Sequence, residues 1–268
     1  MLQVVGGEDT VRRLLRDLRH SGGILLVLAR QDFKGRYRSA SLGLAWSVLM
    51  PLIQGAVLAF VFSRFVRIET EVAYAPFVIA GMVTWNFIST GVNAATGSIV
   101  ATAGLAGKVY FPRPLLPMMP VAASVPGFAI SMAVVIGVGL IFGTGLSWSI
   151  LLLPLAMLLT AWVVIAIVGI TSLLYVYYRD VRYVVQASMM VAIYATPVIY
   201  PADVAGDYEW LLRVNPFSGP LEAVRGSLFG LSDGAWVSIL SSIAWAVVLS
   251  IVGLLAFGRH DRRVADRL

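Results

Sequence analysis

Between Arg113 and Arg179 lie 65 residues without a single Asp, Glu, Lys or Arg. An ordinary soluble domain is about one-quarter charged and has no room for such a stretch. A bilayer does, because a helix needs about 20 mostly apolar residues to cross a hydrocarbon core of roughly 30 Å. The interval therefore holds two crossings and a tight turn, with Gly143-Thr-Gly-Leu-Ser-Trp-Ser149 supplying the turn residues. The whole chain agrees: of its 268 residues 59% are apolar and 13% charged, which excludes disorder. The absence of cysteine excludes a disulfide scaffold, thiolate chemistry and most structural zinc sites.

The same criterion places six spans near 42–63, 74–99, 116–142, 149–176, 182–200 and 235–258. The second and fifth are diluted by Gly, Ser, Thr and Asn, as expected where membrane helices pack closely or line a cavity. Six spans put both termini on one side with the loops 100–115 and 177–181. That side holds eight basic residues before the first span, Lys108 and Arg113, Arg179 and Arg182, and four in the tail. The other side holds Arg64, Arg67, Arg213 and Arg225. Basic residues accumulate in the cytoplasm, so both termini are expected there. Topology thus accounts for the net charge of +6, and no nucleic-acid partner is expected. No cleavable signal peptide is expected, since the first apolar run, Ile24–Ala29, is short and follows a basic segment. The predicted organisation is one membrane domain over 1–268: cytoplasmic helices in 1–41, a six-span bundle in 42–258 and a cytoplasmic tail in 259–268.

Ahead of the bundle, Val11, Leu14, Leu15 and Leu18 recur at helical spacing among Arg12, Arg13, Arg16 and Arg19, the pattern of an amphipathic helix on the cytoplasmic leaflet. Ser21-Gly-Gly23 ends it, and a second helix is predicted from near Ile24 through Arg38. There Phe33 and Tyr37 are interleaved with Arg30, Asp32, Lys34, Arg36 and Arg38. The pattern suits a positive-inside anchor and equally a protein interface, where aromatics and Arg are favoured.

Catalytic chemistry is missing. His20 and His260 sit in the flanks and read as solvated surface residues. Gly104-Leu-Ala-Gly-Lys108 has the wrong spacing for a P-loop and is followed by Val109. No carboxylate lies mid-span, which removes the usual signature of ion-coupled carriers. An energy source in another subunit fits better.

Three stretches carry a resemblance. They are Ala29-Arg-Gln-Asp-Phe-Lys-Gly-Arg-Tyr-Arg38 continuing to Trp46 and Pro51; Gly107-Lys-Val-Tyr-Phe-Pro-Arg-Pro114 continuing to Pro117; and Tyr178-Arg-Asp-Val-Arg182 with Asn215-Pro-Phe217 and Leu221-Glu-Ala-Val-Arg225. In this order on six spans, the chain resembles the permease subunit of ABC-2-type polysaccharide exporters, the family that moves lipid-linked O antigens, teichoic acids and galactan. Pro114 departs from the pattern, since related sequences often carry an acidic residue there.

The resemblance implies an all-α integral membrane fold in a bacterial inner membrane. It implies two permeases assembled with two cytoplasmic ATPases, which hold the ATP and Mg, with no cofactor in this chain. Residues 24–38 would be the gate or interface helix. Residues 101–113 would be the coupling helix, with Lys108, Tyr110, Phe111, Pro112 and Arg113 at its contact and Arg179, Asp180 and Arg182 as a second one. Helices in 203–231, with Asn215, Pro216, Phe217, Glu222 and Arg225, would dip back into the membrane as an external gate.

The residues themselves support parts of this. Phe111-Pro112-Arg113-Pro114 is a rigid turn, as a lever requires, though an ordinary proline-rich loop has the same composition. Pro197, Pro201, Pro216 and Pro220 interrupt apolar sequence, which suits a re-entrant gate or an external surface loop. Trp46, Tyr74, Phe77, Trp85, Phe87, Tyr194 and Tyr200 offer flat faces to a passing glycan, or form an interfacial aromatic belt. The expected function is export of a polyprenyl-linked glycan. The alternatives are a permease for a drug or simple lipid, an ion-driven carrier and a membrane-embedded glycosyl- or lipid transferase. The basic asymmetry predicts that cysteines placed at Ser39 and Asp266 resist an impermeant outside reagent in intact cells, while one at Asp207 labels. The reverse labelling pattern would overturn the orientation.

Overall fold

The computed structural model describes residues 21–37, 43–66, 70, 72–102, 114–144 and 148–267, with the backbone alone for 37, 66 and 260–267. Its elements are α1 (Gly22–Tyr37), α2 (Ala45–Val61, running on as a π turn to Val66), α3 (Tyr74–Thr96) and α4 (Leu115–Ile141). There follow α5 (Leu153–Tyr177, entered through a 3₁₀ turn at Trp148–Leu152), α6 (Val181–Ala192), α7 (Glu209–Val214), α8 (Ser218–Phe229) and α9 (Ala235–Arg267). Among the described residues no strand occurs. Among the described residues, five helices are long and apolar enough to cross a membrane: α2, α3, α4, α5 with its 3₁₀ entry, and α9.

These five follow the predicted spans within a few residues. The fifth predicted span, 182–200, does not form one helix: α6 is 12 residues long. That is about 18 Å at 1.5 Å per residue, short of the roughly 30 Å core. Turns follow it from Ile193. The helix predicted from near Ile24 is present as α1, while Arg38 and the amphipathic segment 11–18 lie outside the described residues. Residues 259–267 continue the helix of α9.

α3 is the spine, with 16 of its 23 residues buried. It contacts α2, α4, α5, α6 and α8. Its polar residues are neutralised locally: Thr84 and Thr96 donate to the carbonyls of Ala80 and Val92, four residues back. Ser131 on α4 and Thr160 on α5 do the same. A hydroxyl that bonds its own helix can face apolar neighbours, which is why the diluted spans still form.

Contacts define two ends of the bundle. At one end Ile99, Leu116, Leu173, Val176 and Phe257 cluster, bringing the end of α5, the start of α4 and the late part of α9 together. At the other, the Tyr74 hydroxyl reaches the Ile199 carbonyl at 2.7 Å and the Ser149 hydroxyl the Ser227 carbonyl at 3.2 Å. The α7–α8 hairpin inserts from this second end. Its Val214 carbonyl accepts from Trp245 Nε1 at 3.0 Å, ten residues into α9 and so about 15 Å from the end.

The hairpin fits because α8 approaches α9 closely. The Gly219 N–H donates to Ser242 Oγ at 2.9 Å. A Cβ at Gly219 would run into the Ser238 carbonyl oxygen and the Ser242 hydroxyl. Gly219→Ala should therefore cost about 1–3 kcal/mol and lower the thermal midpoint of the purified protein. Gly137→Ala, with nothing within 4 Å of the added carbon, should leave it unchanged.

Candidate functional site

Where α6 ends at Ala192, the backbone leaves helical geometry and its carbonyls lose intrahelical partners. Side chains from distant elements replace them. The Tyr194 carbonyl accepts from the Tyr200 hydroxyl at 2.5 Å, and the Ala195 carbonyl from Asn215 Nδ2 at 2.9 Å. The Pro197 and Val198 carbonyls accept from Arg225 Nη1 and Nη2 at 2.7 and 2.6 Å. The Ile199 carbonyl takes the Tyr74 hydroxyl. The irregular segment, exposed at 194–195 and buried at 196–199, is thus hydrogen-bonded almost residue by residue.

Arg225 is the centre of this arrangement. It is 4% exposed, and its guanidinium lies 3.6 Å from the centroid of the Phe77 ring. Glu222, one turn earlier on α8, places Oε1 3.7 Å from Nη1. The approach requires a glycine opposite: a Cβ at Gly81 would sit 2.5 Å from the Val198 oxygen and 2.6 Å from Arg225 Nη2.

The hairpin tip is fixed by Asn215-Pro216-Phe217. Asn215 Oδ1 accepts the Phe217 N–H at 2.9 Å, an Asx turn, while its amide also reaches Thr196 Oγ1 at 3.0 Å. Pro216 keeps Asn215 extended (ψ 129°), ending α7. The Phe217 ring stands edge-on to Trp85 at 5.5 Å. On α7, Arg213 pairs with Glu209 and donates to the Asp233 carbonyl at 2.9 Å.

The residues expected at an external gate, Asn215, Pro216, Phe217, Glu222 and Arg225, are therefore brought together. The others are dispersed. On α1, Arg36 pairs with Asp32 at 2.6 Å and reaches Ser124 Oγ on α4 at 3.3 Å, while Arg30 and Lys34 are exposed and Phe33 is half-buried. The Tyr37 side chain and Lys108, Tyr110, Phe111, Pro112 and Arg113 lie outside the described residues. Arg179, Asp180 and Arg182 are exposed in the turn into α6, with Arg179 5.3 Å from the Tyr175 ring centroid. Of the aromatics, Phe77, Trp85 and Phe87 are buried, Phe87 stacking on Phe128 at 4.4 Å. Trp46 and Tyr194 are exposed, and Tyr74 and Tyr200 serve as caps. Gly81 and Thr196 escaped sequence reasoning; the prolines beside Thr196 are the one signal that could have marked its segment.

A bundle of apolar helices with one interrupted element, stitched to an inserted hairpin, places the chain in the class of polytopic membrane proteins. Within it, this chain belongs to the ABC-2 type transporter family, whose model matches residues 24–229. It is similar to two proteins of Klebsiella pneumoniae, both named O-antigen export system permease protein RfbA. The identities are 27% over 249 residues and 28% over 252, each covering 91% of this chain and 95% of the relative. A protein of the same name from Myxococcus xanthus is 28% identical over 207 residues, covering 76% of this chain and 79% of the relative.

Removing Arg225 would leave Glu222 and two carbonyls buried without their cation. Arg225→Ala should cost about 3–5 kcal/mol, visible as loss of the folded, monodisperse protein in detergent. Asn215→Ala should cost about 1–3 kcal/mol. An Arg225→Ala protein as heat-stable as the parent would show that the clasp contributes nothing.

Proposed function

We propose that this chain is the membrane-spanning permease subunit of an ATP-driven exporter that carries a polyprenyl-linked polysaccharide out of the cytoplasmic leaflet. The observation that carries the reading is likeness along nearly the whole chain to two O-antigen export permeases, each aligned over 91% of it. Chemistry agrees, since the spans offer no carboxylate that could couple transport to an ion gradient.

In this reading the chain crosses an inner membrane six times with both termini cytoplasmic. The sixth crossing is α6 completed by the capped backbone 193–200. The α7–α8 hairpin re-enters the membrane from outside and serves as the external gate, held shut by Arg225. Two permeases assemble with two cytoplasmic ATPase subunits that bind ATP and Mg. Those subunits dock on α1, on the loop containing Lys108, Tyr110, Phe111, Pro112 and Arg113, and on the turn containing Arg179, Asp180 and Arg182. The conduit between permeases is lined in part by aromatic side chains such as Trp46 and Tyr194, which are exposed on the single chain.

Purified alone, the permease should hydrolyse no ATP above background; co-expressed with its ATPase it should yield a hydrolysing complex. Truncating Phe111 and Arg113 together to Ala should remove about 2–4 kcal/mol of anchoring. That is about 30- to 1,000-fold in association with the ATPase, measured by co-purification. Glycan should then accumulate on the cytoplasmic leaflet while the permease inserts in normal amounts. Full ATPase binding together with normal surface glycan in this variant would remove the coupling role from the loop.

A further inference from the structure

The second end of the bundle carries a cavity of about 590 Å³. That lies within the roughly 300–1,000 Å³ of small-molecule sites. Its walls come from the segment after Pro201, from α7 and α8, and from the loop before α9. Two of its groups are buried and only partly used. Arg225 Nε has no hydrogen-bond partner. Glu222, 8% exposed, accepts the Ser232 hydroxyl on one oxygen at 3.2 Å. Its other oxygen, at 3.7 Å from Arg225 Nη1, stands beyond hydrogen-bond reach. A carboxylate with about four lone-pair sites is left with most of its accepting capacity facing the cavity.

We propose that this cavity is a sugar-binding subsite for uncharged glycan units at the outer mouth of the permease, an inference that rests on the export reading above. A sugar hydroxyl both donates and accepts, so a site for it needs carboxylates beside guanidiniums. Here Glu222 lies beside Arg225, and Glu209 beside Arg213. The C–H face of a sugar ring needs a flat apolar surface, which Phe229 supplies in the same wall. Charge sets the class. Asp203, Glu209, Glu222 and Asp233 line the cavity against two guanidiniums, an excess of negative charge that repels phosphorylated or uronate-bearing glycans. The subsite would engage emerging neutral units and disfavour their return while the hairpin closes behind them.

The test uses the full chain in lipid nanodiscs, titrated with maltotriose, mannotriose, galactotriose and, separately, poly(glycerol phosphate), and followed by saturation-transfer NMR. At least one neutral trisaccharide should bind saturably, and the polyanion should not. Ser232→Trp, which fills the cavity from its rim, should weaken binding at least about tenfold. Glu209→Gln, on half-exposed α7, should weaken it several-fold, while Gln186→Ala, exposed on α6, should leave it unchanged. No saturable neutral sugar, binding indifferent to both cavity variants, tighter binding of the polyanion, or displacement of the sugar by Mg or Ca would each overturn the subsite. Surface glycan in cells carrying permease and ATPase is measured in parallel. Surface glycan without trisaccharide binding removes the subsite alone, and binding without surface glycan removes the export reading.

Discussion

The structure depends on hydrogen bonds supplied to backbone that has stopped being a helix. Between Tyr194 and Ile199 five carbonyls are taken by the side chains of Tyr200, Asn215, Arg225 and Tyr74. An amide group buried without a partner costs about 2–7 kcal/mol depending on the reference state. The three on the buried residues Pro197 to Ile199 would, left bare, cost about 6–21 kcal/mol, comparable with the whole stability of a typical domain, about 5–15 kcal/mol. The caps therefore decide whether α6 can end where it does. They also tie three regions far apart in sequence, the start of α3, the segment after α6 and the α7–α8 hairpin, into one rigid end.

The remainder of the bundle is built so that this is where polarity concentrates. Elsewhere in the spans, the hydroxyls of Thr84, Ser131 and Thr160 bond their own helices, and Thr96 does so while also meeting the Thr171 hydroxyl at 3.0 Å. The cost of burying Arg225 is met by two carbonyls, an aromatic face and Glu222 together, an arrangement far stronger than an exposed ion pair. Motion in such a protein is easiest where hydrogen bonds can be exchanged between side chains without unwinding a long helix. The stretch 193–200 is the described segment held by side-chain donors rather than by its own helix.

Five of the long helices were legible because a span is written in composition alone, one residue after another. The stretch 182–200 was less legible for the opposite reason. Pro197 locally disfavours a continued helix, but whether the freed carbonyls find partners depends on donors as far as 125 positions away, which no local window contains. The expected gate residues came together because Asn215, Phe217, Glu222 and Arg225 lie within one hairpin, whose turn chemistry is local. The aromatics were less legible. Phe77, Trp85 and Phe87 on one side, and Trp46 and Tyr194 on the other, are equally apolar in sequence, and in a lipid-soluble chain apolarity does not separate the inside from the outside. Tyr74 and Tyr200 show the same ambiguity, their hydroxyls being spent on the backbone.

The position of the caps in the chain sets a timetable for biogenesis. Tyr74 is made long before the segment it caps, but Asn215 follows Ala195 by 20 residues and Arg225 follows Pro197 by 28. At about 5–20 residues per second, the interrupted stretch is synthesised about one to six seconds before its last donor. Throughout that interval its carbonyls need water or the insertion machinery as their partner. The capped form of the stretch is therefore complete only once residue 225 has been made, so its final geometry is set by sequence that follows it.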